Sequence, residues 1–211
     1  MATSQSKFTK EKEEKDMGRS NRICEPNLTY HAYSRCIDKA NLMKNDKLKD
    51  LMVKVLEETL EKFNFDLNAF EILDNHFHFI INTKTKGETI SQIMQRIKSV
   101  FAKRYNKLHG RTGPFWNERY GSKIVEGARD PSHYFLNLLW YLAHNSFRKG
   151  KVNDPRDYKY SSIRCYLEND YKSKLKITLH QIFKDLGNNF EERLKFFLDL
   201  EFKYREGLWD T

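Results

Sequence analysis

The stretch HFHFIIN, His76–Asn82, alternates histidine with phenylalanine and continues into apolar residues, a pattern typical of a β-strand with two different faces. Residues two positions apart in a strand point to the same face. His76 and His78 therefore share one face, while Phe77 and Phe79 share the other. The pattern predicts an aromatic face packed in the core and a second face that carries two imidazoles.

The segments on either side of this strand predict an alternation of strands and helices. A turn at Asp74–Asn75 joins it to a preceding strand, Phe65–Leu73. The other predicted elements are a strand at Leu28–Arg35, helices at Asp46–Phe63, Thr89–His109 and Pro131 to about Phe147, and a final strand or irregular hairpin at Phe115–Val125. The order β-α-β-β-α-β-α predicts an α+β fold: a ferredoxin-like antiparallel sheet with helices packed on it.

The remaining sequence divides the chain into three parts. Residues 1–20 are polar and of mixed charge, which predicts a disordered tail, and residues 21–166 form the predicted domain. Residues 167–211 form a helical extension, with amphipathic helices predicted at Thr178–Leu186 and Phe190–Tyr204. The extension has eight basic and nine acidic residues, so we expect it to pack on the domain rather than to bind DNA.

The positive charge of the chain is concentrated in one segment. The formal net charge of the 211 residues is +9, and Thr83–Ile124 holds ten basic residues against two acidic ones. Aromatic residues are interleaved with these cations: Phe101, Tyr105, Phe115, Trp116 and Tyr120. Cations for phosphates and rings for bases are what a single-stranded nucleic-acid groove requires. The alternative is an ordinary solvated face, and the aromatic residues favour nucleic acid over it.

Several classes of protein are excluded by composition. No apolar run approaches the roughly 20 residues that span a bilayer. The N-terminal stretch lacks the apolar centre of a signal peptide. The three cysteines, Cys24, Cys36 and Cys165, include no C-x-x-C pair, which argues against a disulfide framework or a four-thiolate zinc site. We therefore expect a basic protein without membrane spans in the cytoplasm.

Two groups of residues are candidates for chemistry. Two imidazoles on one face of a strand, His76 and His78, can supply half of a divalent-metal site, or they can be structural histidines on the sheet. On the helix His133–Phe147, the face opposite the leucines carries no Lys or Glu; it holds His133, Asn137, Tyr141, His144 and Asn145. A tyrosine with an asparagine one turn later would combine a nucleophile with a third metal ligand. The alternative is a neutral polar seam packed against the sheet.

Five motifs in order carry a resemblance to a known family. They are TYHAYSR (Thr29–Arg35), NHFHFIIN (Asn75–Asn82), GPFWNERY (Gly113–Tyr120), WYLAHNSFRKGKV (Trp140–Val152) and DYKYSS (Asp157–Ser162). Over about Asn27–Tyr166, the chain resembles the REP-associated tyrosine transposases of the single-tyrosine, IS200-like branch of the HUH endonuclease superfamily. It departs from them at Asn145-Ser146-Phe147, where that branch commonly has Asn-Pro-Val, and this departure concerns the end of the helix.

The resemblance implies a chemistry and the residues that carry it. It implies that His76, His78 and Asn145 bind Mg²⁺ or Mn²⁺ and that Tyr141 attacks phosphorus to form a 5′-phosphotyrosine. The implied partner is single-stranded DNA with imperfect hairpins, cleaved and rejoined by a monomer or a homodimer. The charged segment and this resemblance together give the candidate DNA contacts Arg35, Lys98, Lys103, Arg104, Arg111, Trp116, Arg119 and Arg148.

Two other functions fit parts of the sequence. A domesticated hairpin-binding protein could keep the fold without turnover, but a pure binder would not need His76, His78 and Tyr141 together. A zinc-dependent hydrolase could use the same histidines, but the acidic general base and further ligands expected nearby are missing. The sequence therefore favours a metal-dependent DNA endonuclease and strand transferase with a tyrosine nucleophile.

Overall fold

Residues 23–206 are described by the computed structural model, and four strands within them form one antiparallel sheet. The strands are β1 (Thr29–Arg35), β2 (Phe65–Ile72), β3 (His76–Thr83) and β4 (Gly121–Ile124), in the order β2-β3-β1-β4 across the sheet. The strand with the two histidines, β3, is therefore central. The predicted disordered tail, residues 1–20, lies outside the described residues.

The helices of the described residues complete the predicted α+β fold. They are α1 (Asp46–Lys62), α2 (Ile90–Leu108), α3 (Pro131–Arg148), α4 (Arg164–Leu167), α5 (Gln181–Lys184) and α6 (Phe190–Arg205). α1 connects β1 to β2 and α2 connects β3 to β4, which gives the ferredoxin-like order and confirms the predicted fold class. Between residues 23 and 206, no helix has the length and apolar character needed to cross a membrane.

Side-chain caps fix where the helices begin. Thr89 and Gln92 form a capping box at the start of α2, in which each side chain accepts from the other residue's backbone N–H. At the start of α3, Asp130 accepts from the backbone N–H of His133 at 2.9 Å, and Pro131 occupies the first turn. The start of α3 determines which of its residues meet the sheet.

The sheet separates two hydrophobic cores. One core lies against α1 and α2 and contains Phe77 and Phe79, whose ring centroids are 4.2 Å apart. The other core lies against α3 and contains Ala69, Ile80 and Trp140. The predicted alternation along β3 is therefore confirmed, because Phe77 and Phe79 are fully buried in the first core and the two histidines face the side of α3.

The last strand is shorter than predicted. The sequence predicted a strand or irregular hairpin over Phe115–Val125, but only Gly121–Ile124 forms a regular strand paired with β1, and Trp116 makes an isolated bridge to Cys36 just beyond β1. Phe115 and Trp116 are consecutive, yet both are buried in the same core, which the alternation of a regular strand does not allow. Packing of these two rings in the core therefore interrupts the regular strand before β4 and leaves only the isolated bridge at Trp116.

The first C-terminal helix is also shorter than predicted. The amphipathic pattern predicted Thr178–Leu186, but α5 covers only Gln181–Lys184. Thr178 instead runs along the edge of β2: its backbone N–H donates to the carbonyl oxygen of Leu67 at 3.0 Å, and its carbonyl oxygen accepts from Asn68 Nδ2 at 2.8 Å. These bonds hold the backbone of Thr178 outside the helix.

The second C-terminal helix, α6, packs on α3. The rings of Trp140 and Phe197 stack with centroids 4.5 Å apart, and Trp140 Nε1 donates to the carbonyl oxygen of Phe197 at 3.1 Å. Further along α6, the buried carboxylate of Glu201 accepts from Arg156 and Arg205. The described part of the extension thus belongs to the core around α3.

We expect Phe197→Ala to destabilise the protein by about 3–5 kcal/mol, because it empties a fully buried site beneath α3. Urea denaturation followed by circular dichroism measures this loss. Phe202→Ala is the matched control, since Phe202 lies on the same helix with 64% of its surface exposed and its loss should change the free energy of unfolding very little. Equal stabilities of the two variants would contradict the packing role of α6.

Candidate active site

An open pocket of about 780 Å³ lies between the sheet and α3. Its lining includes His31 and Tyr33 from β1, His76 and His78 from β3, and Tyr141 from α3. The register of the sheet explains this grouping, because Tyr33 pairs with His78 and directly paired residues share a face. The structure thus brings the two predicted metal ligands and the predicted nucleophile into one pocket.

The two candidate metal ligands present the same ring nitrogen. His76 Nδ1 donates to Asn75 Oδ1 at 2.6 Å, and Asn75 is oriented by donating from Nδ2 to the carbonyl oxygen of Lys39 at 2.8 Å. His78 Nδ1 lies 2.9 Å from His31 Nε2, and the ring centroids of His76 and His78 are 5.2 Å apart. With both Nδ1 atoms engaged, Nε2 of each ring is the atom that can bind a metal.

These histidines are neutral at pH 7. Burial lowers the pKa of His76 to about 3, with a further contribution from the ammonium of Lys149. Burial lowers the pKa of His31 to about 4, assisted by Lys123, and it lowers the pKa of His78 well below its ordinary value. Metal ions bind neutral imidazole, so the protonation state and the orientation of the donor set fit a divalent cation.

Tyr141 lies beside the imidazoles with its ring accessible to solvent. Its ring centroid is 5.9 Å from that of His78, the two rings are nearly perpendicular, and 40% of the residue is exposed. The guanidinium of Arg148 lies over the Tyr141 ring, 5.2 Å from the ring centroid. Arg148 is held there by donating to the carbonyl oxygen of Tyr141 at 3.2 Å. The Tyr141 ring therefore contacts the neutral imidazole of His78 and the guanidinium of Arg148.

Asn145, the predicted third ligand, is oriented differently. It is buried, and its Oδ1 accepts from Arg148 Nη2 at 3.1 Å. Its Nδ2 is buried and has no hydrogen-bond partner within residues 23–206. Within residues 23–206, no group of three His, Cys, Asp or Glu residues could hold a metal ion, so a third protein ligand has to be of another type.

Other polar residues of the predicted helix face are divided between two environments. Asn137 lines the pocket together with Tyr141. His144 is buried on the other side, with Nε2 at 3.4 Å from the carboxylate of Glu201 on α6. The polar residues that the sequence placed on one face of α3 therefore lie in two environments, the pocket and the contact with α6, because α6 covers part of that face.

The predicted DNA contacts lie in different places. Arg35 and Arg119 line the pocket, and Arg148 lies over Tyr141. The side chain of Lys98 donates to the carbonyl oxygen of Glu118, which also lines the pocket. Arg35, Arg119 and Arg148 therefore lie at the candidate active site, whereas Lys98 is a residue of α2 and is not part of the pocket lining.

The other predicted DNA contacts are not brought to the pocket. Lys103 and Arg104 lie on α2, on the opposite side of the sheet, and Arg104 pairs with Glu58 of α1 at 2.7 Å. Arg111 Nη2 donates to the carbonyl oxygen of Pro114 at 3.0 Å. The ring of Trp116 is 9% exposed and contacts Phe77 in the core, so we assign it to packing rather than to base stacking.

The sequence reasoning gave no role to two residues that the structure places in the pocket. His31 and Tyr33 alternate with core residues along β1 and lie on the same face as Arg35. The alternation along β1 would have indicated both residues as pocket residues once the pairing of β1 with β3 was known. Tyr33 also depends on Gly121, where an added Cβ would lie 2.4 Å from the Tyr33 ring.

Glu71 is a buried carboxyl group next to the site. It pairs directly with His78 across β2 and β3, and its Oε1 accepts from the backbone N–H of Ser146 on α3 at 3.2 Å. Burial raises its pKa to about 8, while the hydrogen bond from Ser146 acts in the opposite direction. Glu71 is therefore protonated at neutral pH, and it ties α3 to the strand beside the histidines.

We expect Glu71→Gln to remove part of the pH dependence of stability. The native state keeps the Glu71 proton up to about pH 8, whereas an unfolded glutamate loses it near pH 4.5, so stability falls as the pH rises through this range. The loss is at most about 1.4 kcal/mol per pH unit. Glu71→Gln should therefore gain stability relative to wild type between pH 6.5 and 8, as measured by urea denaturation at each pH. The exposed Glu57→Gln is the control, and a gain of equal size there would contradict the assignment.

A family model described as "Transposase IS200 like" matches residues 24–134, a region that contains the sheet and both pocket-facing histidines of β3 and ends seven residues before Tyr141. The chain is also similar to the solved structure of a REP-associated tyrosine transposase bound to a REP hairpin. That likeness has 16% sequence identity and a TM-score of 0.58, and covers 78% of this chain and 94% of the other.

A second solved structure is a candidate transposase from Deinococcus radiodurans R1, with 15% identity, a TM-score of 0.40, and coverage of 64% of this chain and 98% of that one. A search of curated proteins found no match.

Proposed function

Because the chain belongs to the IS200-like transposase family, we propose that it cleaves and rejoins single-stranded DNA through a covalent bond to Tyr141. The observation that supports this most directly is the pocket itself. An accessible phenol shares a pocket with two neutral imidazoles whose Nδ1 atoms are engaged, so a metal would bind at Nε2, which in His76 now lies 3.3 Å from Lys149 Nζ. This combination is what phosphoryl transfer to a tyrosine requires.

The metal site of this proposal uses His76 and His78 through Nε2, with Asn145 as the third protein ligand after its side chain turns away from Arg148. A Mg²⁺ or Mn²⁺ ion held there would supply positive charge to polarise a non-bridging oxygen of the scissile phosphate. The two imidazoles fit this role because they are neutral and their Nδ1 atoms are already engaged.

The covalent step is carried by Tyr141. Its Oη loses its proton and bonds to phosphorus, while the bond from phosphorus to the 3′-oxygen breaks and that oxygen gains a proton. The products are a 5′-phosphotyrosine and a free 3′-hydroxyl. The guanidinium over the Tyr141 ring stabilises the negative charge that develops on the phenol oxygen. Since the ester retains the energy of the broken bond, a second 3′-hydroxyl can reverse the step and join strands.

The proposed substrate is single-stranded at the scissile phosphate and carries an imperfect hairpin beside it. The pocket is open to solvent, and cations around it, Arg35, Arg119 and Lys123, are suited to phosphates. The rings of Tyr33 and Tyr134 in the same lining offer surfaces for bases. The similar solved structure, described as bound to a REP hairpin, supports this class of DNA as the substrate. The acting species is a monomer or a homodimer.

A cleavage assay tests this proposal. End-labelled single-stranded hairpins from the DNA that flanks the gene are incubated with the full-length chain and Mg²⁺, Mn²⁺ or EDTA. We expect nicking and a covalent adduct with either metal and neither product in EDTA, with the adduct mapped to Tyr141 by mass spectrometry. An adduct on another residue, or cleavage that persists in EDTA, would contradict the proposed chemistry.

A second candidate function is hairpin binding without turnover. One observation favours it: Lys149 Nζ lies 3.3 Å from Nε2 and 3.4 Å from Nδ1 of His76, so an ammonium stands where it opposes a bound cation. In the same assay, tight hairpin binding with no adduct under any metal would support this candidate.

A further inference from the structure

His31 is a third histidine of the pocket, and it stands behind the candidate metal ligands. It lies on β1, is 6% exposed, and its Nε2 is 2.9 Å from His78 Nδ1. The ring planes are 26° from parallel with centroids 5.1 Å apart, which allows the N–H of one ring to point at the lone pair of the other. Two buried imidazoles are thus joined by one N–H···N hydrogen bond.

This bond can have its proton on either nitrogen, and only one arrangement permits metal binding. If His31 Nε2 carried the hydrogen, neutral His78 would carry its own proton on Nε2, and that atom could not accept a metal. If His78 Nδ1 carries the hydrogen and His31 Nε2 accepts it, His78 Nε2 has a free lone pair. The direction of the bond between the two rings therefore decides whether His78 can be a ligand.

We propose that His31 is a positioning residue that holds His78 in the Nδ1–H tautomer and so presents His78 Nε2 to the divalent metal. This inference rests on the proposed metal site and adds to it a residue that is not itself a metal ligand. His31 Nε2 is occupied by the bond to His78, so this nitrogen does not serve as a ligand. The role parallels that of Asn75, whose Oδ1 fixes the same tautomer in His76.

The burial of the pair explains why the arrangement is specific. His31 and His78 are 6% and 7% exposed, so water has little access to replace either ring as a partner. The neighbouring side chains that face His31 from the sheet are Tyr33, with a centroid distance of 5.3 Å, and Lys123, its paired residue on β4.

The test measures Mn²⁺ affinity of the full-length chain by titration calorimetry and by the electron paramagnetic resonance signal of free Mn²⁺. His31→Leu removes the acceptor and keeps an apolar side chain, and we expect affinity to fall about 10- to 100-fold. His31→Gln offers an amide oxygen near the position of Nε2 and should restore most of the affinity. Thr29→Val changes a polar residue on the same face of β1 and should bind Mn²⁺ like wild type, because the hydroxyl of Thr29 contacts His180 instead.

A second measurement separates positioning from a structural effect. Long-range ¹H–¹⁵N correlations of the imidazole rings identify the protonated nitrogen of His78 in each variant. We expect Nδ1–H in the wild type with Mg²⁺ and in His31→Gln, and a substantial Nε2–H population in His31→Leu. General loosening of the fold does not by itself convert one tautomer into the other.

The outcomes distinguish this inference from the proposed function. Wild-type Mn²⁺ affinity in a folded His31→Leu, or an unchanged His78 tautomer, would overturn the role of His31 and leave the metal site standing. Failure of His31→Gln to recover affinity would also overturn it. A wild-type chain that binds no Mn²⁺ would overturn the metal site itself and this inference with it.

Discussion

Tyr141→Phe is expected to abolish the covalent DNA adduct and to reduce cleavage more than about 1,000-fold, while hairpin affinity stays nearly unchanged. The substitution removes only the Oη atom, which is the proposed nucleophile. The ring stays beside His78 and beneath the guanidinium of Arg148, so contacts made by the aromatic face persist. Single-turnover cleavage of a labelled hairpin and a parallel binding titration measure the two effects separately.

The fold should tolerate this change. The residue is 40% exposed, and loss of one hydroxyl at such a position changes stability by less than about 1 kcal/mol. Tyr134→Phe is the matched control, because it removes the same atom from another tyrosine of α3 that lines the same pocket. We expect the Tyr134→Phe protein to cleave DNA and to form the adduct.

Two results would contradict the assignment of Tyr141. Adduct formation that persists in Tyr141→Phe would mean that another side chain attacks, and peptide mapping would identify it. A large loss of hairpin affinity would mean that the hydroxyl contributes to binding rather than to chemistry.

His76→Ala is expected to have the second large effect, a loss of at least about 100-fold in metal-dependent cleavage with hairpin binding retained. The substitution removes one of two imidazoles that present Nε2 to the pocket. Half of the protein ligands that the strand supplies would be lost, so Mn²⁺ affinity should fall with activity. Cleavage rates over a Mn²⁺ titration measure both quantities.

Lys149→Met is a useful comparison with His76→Ala. It removes the ammonium within 3.4 Å of the His76 ring and leaves the ring in place. If the loss in His76→Ala came from a changed charge around the ring, Lys149→Met would also weaken Mn²⁺ binding. Removal of a cation beside a metal site should instead strengthen it. Full metal-dependent activity in His76→Ala would exclude His76 from the metal site.

The local parts of the fold could be predicted from the sequence. Alternation along His76–Asn82 fixed which face each histidine and phenylalanine takes, because the period of two is a property of the strand itself. The long helices could be predicted from their apolar stripes, because the helical period is likewise a property of the helix itself. The shortened β4 and α5 could not be predicted in this way, since Trp116 is drawn into a distant core and Thr178 pairs with Leu67 of β2.

The candidate site was predicted in part. Tyr141, His76 and His78 were found from residue type and spacing, and the structure places them around one pocket. His31 was missed because its contact with His78 depends on the pairing of β1 with β3, which separates the two residues by 47 positions in sequence. The direction of the Asn145 side chain could not be predicted, because it is set by a hydrogen bond from Arg148.

The placement of the phenol and both imidazoles in one polypeptide has a consequence for stoichiometry. Under the proposed chemistry, one chain holds one 5′ end at a time through Tyr141, which lies in the same pocket as the histidines of its own sheet. Excision of a segment with two ends would therefore need two protein molecules at work together or two successive rounds by one. Processing of an isolated repeat, which has a single break, would need only one protein molecule and one round of cleavage.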